Sequence, residues 1–354
     1  MSDISVVIPT FNRLWALPQA VESCRSAGGN VEIVVVDDGS VEREAVAGVA
    51  ADDFLPWLQQ RLPYLASVYV GENFRFGRGR MGDVALLIQL SAMGGGRVLT
   101  VKPNFALYGL DARLLGAELT EVPLREDQSV DFDALIAALG QASGPAARGV
   151  IYLPRPHAPT GSLCSLGDVE RLALASQGWL LVIDEAYHHF MDSEDARALA
   201  RRHPHVVLLR TLSKAWGLAG LRMGYALTSD GVARQLRKLV PPFGVSVLQT
   251  VCTLVALEHP GYVQARVAHT LRERERLFLA LQRHPSWQPM PSHANFLLVR
   301  TPDAAQAHAQ LLAGGVLVRR QDSLPGLHGC LRVTVGTTEE NDAFLRAAGL
   351  GSAQ

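Results

Sequence analysis

The 354-residue sequence predicts an α/β protein with a mainly parallel central sheet and a second, smaller α/β domain at its C-terminal end. Three observations lead there. Apolar, β-rich runs recur with helical patterns between them; the runs are near-continuous, as strands buried on both faces must be; and the alternation resumes after a long helical tract.

The strand candidates are "SVVIP", "VEIVVVDD", "GRVLTVKP", "GVIYLP", "GWLLVIDEAY", "HVVLLRTLS" and "LRMGYALTS". "SLGDVERLALASQ" reads as a crossover helix, with Ser165 as its cap and Asp168 and Glu170 in its first turn, where acids complement the exposed N–H groups. After "PPFGVS" a long helical tract runs to about residue 284, followed by "NFLLVR", "DAAQAHAQLLAGG", "VLVRR", "CLRVTVGT" and "EENDAFLRAAGL" as alternating strands and helices. The expected divisions are an atypical βα-type segment over 1–83, a large domain over 84–260 and a small domain over 261–354.

Composition narrows the function classes. Hydrophobic residues make up 48% and charged residues 19%, an ordinary globular balance. A net charge of −1 without a dense basic block argues against nucleic acid as a partner, and no apolar stretch is long enough to span a membrane. Cys24, Cys164, Cys252 and Cys330 are scattered without a CxxC pair, which suits reduced thiols in a cytoplasm and no metal site.

The chemistry concentrates in two motifs. In "VIDEAY" the acid Asp184 ends an apolar strand, where ligand crevices open in α/β sheets. An isolated acid there commonly caps a loop; held against a heterocyclic nitrogen, it would keep that nitrogen protonated. In "RTLSKAWGLAGLRMGY", Lys214 follows a strand, Ser213 offers a hydroxyl, Arg222 a guanidinium, and Gly217 and Gly220 permit tight turns. A lysine alone would read as a solvated charge; beside an anion clamp it reads as a Schiff-base former. A protonated ring, an imine and a phosphate clamp are the three demands of pyridoxal phosphate.

"DEAY", "TLSKAWGLAGLRMGY", "SHANFLLVR" and "GCLRVTVGT", in that order, resemble the fold-type I pyridoxal-phosphate aminotransferases over roughly residues 84–350, and within them the histidinol-phosphate aminotransferases. The resemblance implies a cytoplasmic homodimer acting on small amino and keto acids, with amino transfer between L-histidinol phosphate and 2-oxoglutarate in histidine biosynthesis. It implies that Lys214 holds the cofactor and moves the proton at the substrate Cα, that Asp184 pairs with the ring nitrogen, and that Tyr187 lies near the cofactor oxygen. Ser213 and Arg222 would bind the phosphate. "PNFALY" makes Tyr108 the ring stacked on the cofactor. Arg332 would grip a substrate carboxylate, Arg319 a substrate phosphate, and Asn295 would join them. Gly82 and Asp83 can be laid on the phosphate-cradling turn, with Arg78 and Arg80 nearby. The related threonine-phosphate decarboxylases share most of these motifs.

Two departures stand out. The usual Asn-Pro-Thr-Gly is "RPHAPTG" here, so Ala158 replaces a donor to the cofactor oxygen, and His157 is the neighbour able to compensate. The N-terminal quarter resembles other families. "ISVVIPTFNRLWALPQAVESC" with "VEIVVVDDGS" is similar to the opening of a family 2 glycosyltransferase, with Asp37 and Asp38 as the nucleotide-sugar acids (about 3–42). "FLPWLQQRLPYLASVYVGENFRFGRGRMGDV" is similar to a fragment of riboflavin kinase/FMN adenylyltransferase (about 52–84). The chain reads as a mosaic. A nucleotide-sugar transferase and a scaffold that binds cofactor without turnover stay open as alternatives.

Overall fold

The computed structural model of the chain describes residues 4–10, 31–37, 96–141, 149–191, 193–237 and 244–350. The chain divides into two compact units, residues 1–80 and 81–354. In the first, β1 (Ile4–Thr10) and β2 (Val31–Asp37) pair in parallel, with Ile4 beside Val31 and Thr10 beside Asp37. Asp37 thus ends a strand as expected. Asp38, Arg78, Arg80, Gly82, Asp83 and the 52–84 resemblance lie outside the described residues.

The second unit opens with β3 (Arg97–Lys102), α1 (Ala106–Leu114), β4 (Glu118–Pro123), α2 (Phe132–Gln141) and β5 (Gly149–Pro154). It continues through α3 (Leu166–Ala175), β6 (Leu180–Asp184), α4 (Arg197–Arg202), β7 (Val206–Thr211), β8 (Gly224–Leu227) and α5 (Asp230–Arg237). These strands form one six-stranded sheet in the order β4-β3-β5-β6-β7-β8. Every pairing is parallel except the last, β7 with β8, which is antiparallel.

The near-continuous apolar runs have their cause here: all six residues of β5 are buried, because helices cover both faces of the sheet. Alternate side chains go to opposite faces. Leu99, Ile151, Leu181 and Leu208 meet Leu135 of α2 and Leu172 of α3; Val98, Val150, Val182 and Val207 meet Tyr108 and Ala112 of α1. α3 starts where the sequence says it should, with the Ser165 hydroxyl accepting from the Asp168 N–H at 3.1 Å.

The expected long helical tract is two helices, α6 (Val247–Leu257) and α7 (Pro260–Leu281). Pro260 lacks an N–H and cannot continue α6, but it suits the first turn of a new helix. Beyond α7, β9 (Gln288–Pro289), β10 (Phe296–Arg300), α8 (Ala304–Ala313), β11 (Arg319–Arg320), β12 (Cys330–Thr334) and α9 (Thr338–Ala347) build an antiparallel sheet, β11-β12-β10-β9. Its own core joins Leu277, Leu281, Leu297, Val299, Leu311, Leu331 and Phe344. The N-terminal half of α7 packs elsewhere, with Val263 against Phe190 and Ala215, beside the loops that follow β6 and β7.

Candidate active site

Parallel strands put their C-terminal ends on one edge of a sheet, and the loops after them form the ligand crevice. Here the loops after β3, β5, β6 and β7 bring "PNFALY", "RPHAPTG", "DEAY" and "SKAWG" to that edge.

Asp184 is the last residue of β6 and keeps part of its surface open. Its Oδ1 accepts the Ala186 N–H at 2.9 Å, and its Oδ2 accepts the Tyr108 hydroxyl. Burial pushes the Asp184 carboxyl above its ordinary value, opposed by the hydrogen bonds from Tyr108 and Ala186 and by the charge of Lys214. The expected stacking role of Tyr108 meets a different geometry. Tyr108 is 0% exposed, one ring face lies on Tyr152 at 4.8 Å and 12°, and its hydroxyl is bound to Asp184. Phe105, edge-on to Tyr108 at 5.6 Å, is the exposed ring of that segment. The reason is local: Phe105 caps α1, while Tyr108 falls on the helix face turned to the sheet.

Lys214 is exposed in the turn after β7, its Nζ 5.4 Å from the centroid of the Tyr187 ring. Ser213 and Arg222 face each other across the mouth of the same β7–β8 hairpin, because Thr211 pairs with Gly224 and the Leu212 N–H reaches Met223 O at 3.0 Å. Arg222 sits in the left-handed region (φ 53°), and its Nη1 donates to Ala219 O at 3.2 Å, so its head is tied to its own turn.

Tyr187 continues the line, its ring edge-on to Phe296 at 5.3 Å. Arg332 on β12 lays its guanidinium over Phe296, with Cζ 5.1 Å from the ring centroid. Burial lowers the Arg332 pKa from its ordinary value, the neighbouring Tyr187 opposes that shift, and Arg319 adds to it. The buried Arg332 Nε has no hydrogen-bond partner among the described residues. Arg319 pairs directly with Arg332 across β11 and β12, so two cations stand side by side. Asn295, half-buried at the start of β10, accepts the Val335 N–H through its carbonyl at 2.9 Å. Asp184, Lys214, Tyr187 and Arg332 therefore form one continuous set, with Arg319 and Asn295 beside Arg332.

His157, the neighbour of Ala158, is enclosed in the loop after β5. It is 1% exposed, its Nδ1 lies 2.7 Å from Thr160 Oγ1, and its buried Nε2 has no hydrogen-bond partner among the described residues. Burial lowers its pKa to about 4, so the ring is neutral above that pH. The same loop is locked to the small domain at Gly161, where φ is +82° and a Cβ would stand 2.2 Å from Ser292 Oγ.

Sequence reasoning missed the scaffold under Asp184. Glu185, 0% exposed, accepts from Arg210 Nε at 3.0 Å and Nη2 at 2.7 Å through Oε2, and from the Ala196 N–H at 2.8 Å through Oε1. Arg210 also reaches Asp195 at 3.0 Å, and Arg155 lies 3.9 Å from Glu185. The available signal was an arginine inside the apolar strand "VVLLRT", which demands a buried partner.

Residues 72–347 match the family described as aminotransferase class I and II, and residues 5–54 match glycosyl transferase family 2. The chain is 46% identical over 266 residues to the histidinol-phosphate aminotransferase of Deinococcus radiodurans, a stretch covering 75% of this chain and 72% of that protein. Among solved structures it is similar to the histidinol-phosphate aminotransferase from Sinorhizobium meliloti in complex with pyridoxal-5'-phosphate. There the TM-score is 0.65 at 28% identity, covering 75% of this chain and 72% of that one. The histidinol-phosphate aminotransferase from Clostridium acetobutylicum, at 21% identity, shares the fold with a TM-score of 0.68 over 75% of this chain and 80% of that one.

Proposed function

The chain belongs to the aminotransferase class I and II family, and from that premise we propose that it is a pyridoxal 5'-phosphate-dependent aminotransferase of fold type I, passing an amino group between L-histidinol phosphate and 2-oxoglutarate. The observation that carries this reading is the continuous set of Asp184, Lys214, Tyr187 and Arg332, in which successive contacts link a partly open carboxylate and an exposed amine to a guanidinium whose buried Nε has no hydrogen-bond partner among the described residues.

The residues fit the cofactor. The Asp184 carboxylate retains lone pairs beyond its two hydrogen bonds and can accept a ring N–H. Bound there, the cofactor supplies a protonated aromatic ring that draws electrons from the carbon bearing the amino group. With the cofactor bound, Lys214 Nζ would take the proton from the substrate Cα and deliver it to the cofactor carbon on the other side of the shared nitrogen. The Tyr187 hydroxyl holds the cofactor oxygen without help from Ala158. Ser213 and Arg222 take the phosphate at the hairpin mouth, and Phe105 replaces Tyr108 as the ring for the cofactor face. Arg332 and Arg319 bind the anionic groups of the two substrates, and the Phe296 ring fixes the Arg332 plane.

A homodimer belongs to the same reading. α6 leaves Val247 81%, Leu248 67% and Leu254 57% exposed, an apolar face that a second copy would cover. A cytoplasmic site of action accords with Cys164, Cys252 and Cys330 all being free thiols. No helix among the described residues is long and apolar enough to cross a membrane.

The test is a half-reaction followed in the visible spectrum. Protein loaded with pyridoxal phosphate should lose its visible band on addition of L-histidinol phosphate and regain it with 2-oxoglutarate. A loaded protein whose spectrum ignores both compounds contradicts the reading.

A further inference from the structure

We propose that Tyr108 is a positioning residue for the acid of the site, its buried hydroxyl fixing the plane of the Asp184 carboxylate before any cofactor arrives. This rests on the cofactor reading above.

The geometry leaves Tyr108 no other use. A buried phenol must find a hydrogen-bond partner, and Tyr108, wholly enclosed, donates to Asp184 Oδ2. Its ring cannot swing away, because it is stacked on Tyr152 at 4.8 Å and flanked by Phe105 at 5.6 Å. The carboxylate therefore has one rigid donor on each oxygen, the Ala186 N–H on Oδ1 at 2.9 Å and the Tyr108 hydroxyl on Oδ2. Two donors on separate elements determine the carboxylate plane. The charged and titratable groups around it are Tyr108 from α1, Tyr152 from β5, and Lys214 from the turn after β7. Among the described residues only Lys214 carries a positive charge there, and it sits on a turn that is open to solvent. The uncharged hydroxyl is thus the fixed donor that favours the ionised carboxylate before ligand binds.

Tyr108→Phe keeps the ring and its stacking and removes only the donor. In the cofactor-free protein it should weaken pyridoxal phosphate binding, measured by titration of intrinsic fluorescence, by about tenfold or more, the usual scale for a hydrogen bond to a charged group. Losing the donor raises the carboxyl pKa, so the acid limb of the binding-versus-pH profile should move to higher pH, which a general loosening of the fold would not do. In an Asp184→Ala background the same change should have no further effect on binding, because its target is gone.

Unchanged affinity and an unmoved acid limb in Tyr108→Phe, with wild type binding and Lys214→Ala not retaining the cofactor, would overturn the positioning role alone. Equal losses from Tyr108→Phe with and without Asp184 would also overturn it. Failure of the wild-type protein to bind pyridoxal phosphate would overturn the cofactor reading and this role with it.

Discussion

The loop after β6 and the turn after β7 carry the two halves of the proposed site, yet they are built on opposite plans. The β6 loop is wired in advance: Asp184 has a donor on each oxygen, and Glu185 beneath it is bound to Arg210 and the Ala196 N–H out of reach of water. The β7 turn is open. Lys214 and Arg222 are exposed, and Arg222 is tied only to the carbonyl of its own turn. The difference follows from chemistry. A buried carboxylate must be fully partnered to stay charged, whereas in the proposed function the amine and the phosphate clamp must stay free until their ligand comes.

That contrast breaks or sharpens by substitution. Glu185→Ala takes from buried Arg210 its bidentate partner, leaving it Asp195 alone, and strips the Ala196 N–H of its acceptor; it should cost about 3–5 kcal/mol of folding stability, read by chemical denaturation. A change under 1 kcal/mol would mean that the β6 loop is not a pre-wired scaffold. Arg222→Gln should do the reverse, leaving the melting temperature unchanged while weakening pyridoxal phosphate binding by about 1.5–3 kcal/mol, the worth of a hydrogen bond to a charged group. A destabilised Arg222→Gln with normal binding would invert the comparison.

The smallest effect is in pH. Burial lowers the pKa of His157 to about 4, and burial together with His189 and Arg210 lowers that of His188 to about 3, from the ordinary 6.5 of a free imidazole. Both are depressed in the folded state, so the unfolded chain takes up protons first as pH falls. Their stabilisation is complete above pH 6.5 and is lost as pH drops towards 4 and then 3. The melting temperature should fall over that window, and a His157→Gln variant should fall less steeply.

Much of this was legible in the sequence. The strands could be read because a sheet covered on both faces leaves apolar runs such as "GVIYLP", and the start of α3 could be read because Ser165 and Asp168 have the capping spacing. Asp184 and Lys214 could be singled out as candidates because strand ends carry ligands. Tyr108 could not be assigned correctly, since Phe105 and Tyr108 stand three residues apart at a helix start, and only the packed helix shows which ring turns inward. The pairing of Glu185 with Arg210 joins residues 25 apart on neighbouring strands, which no local pattern encodes. The break before α7 was legible in Pro260 and overlooked.

The most direct measurement uses the small number of lysines in the chain, Lys102, Lys214 and Lys238. Protein incubated with pyridoxal phosphate, reduced with borohydride and digested should carry the cofactor mass on the peptide containing Lys214, with none on the Lys102 peptide, whose amine is 2.7 Å from Glu121. Label on Lys102 or Lys238 in place of Lys214, or no label in a folded protein, would contradict the assignment of Lys214 as the cofactor-bearing residue.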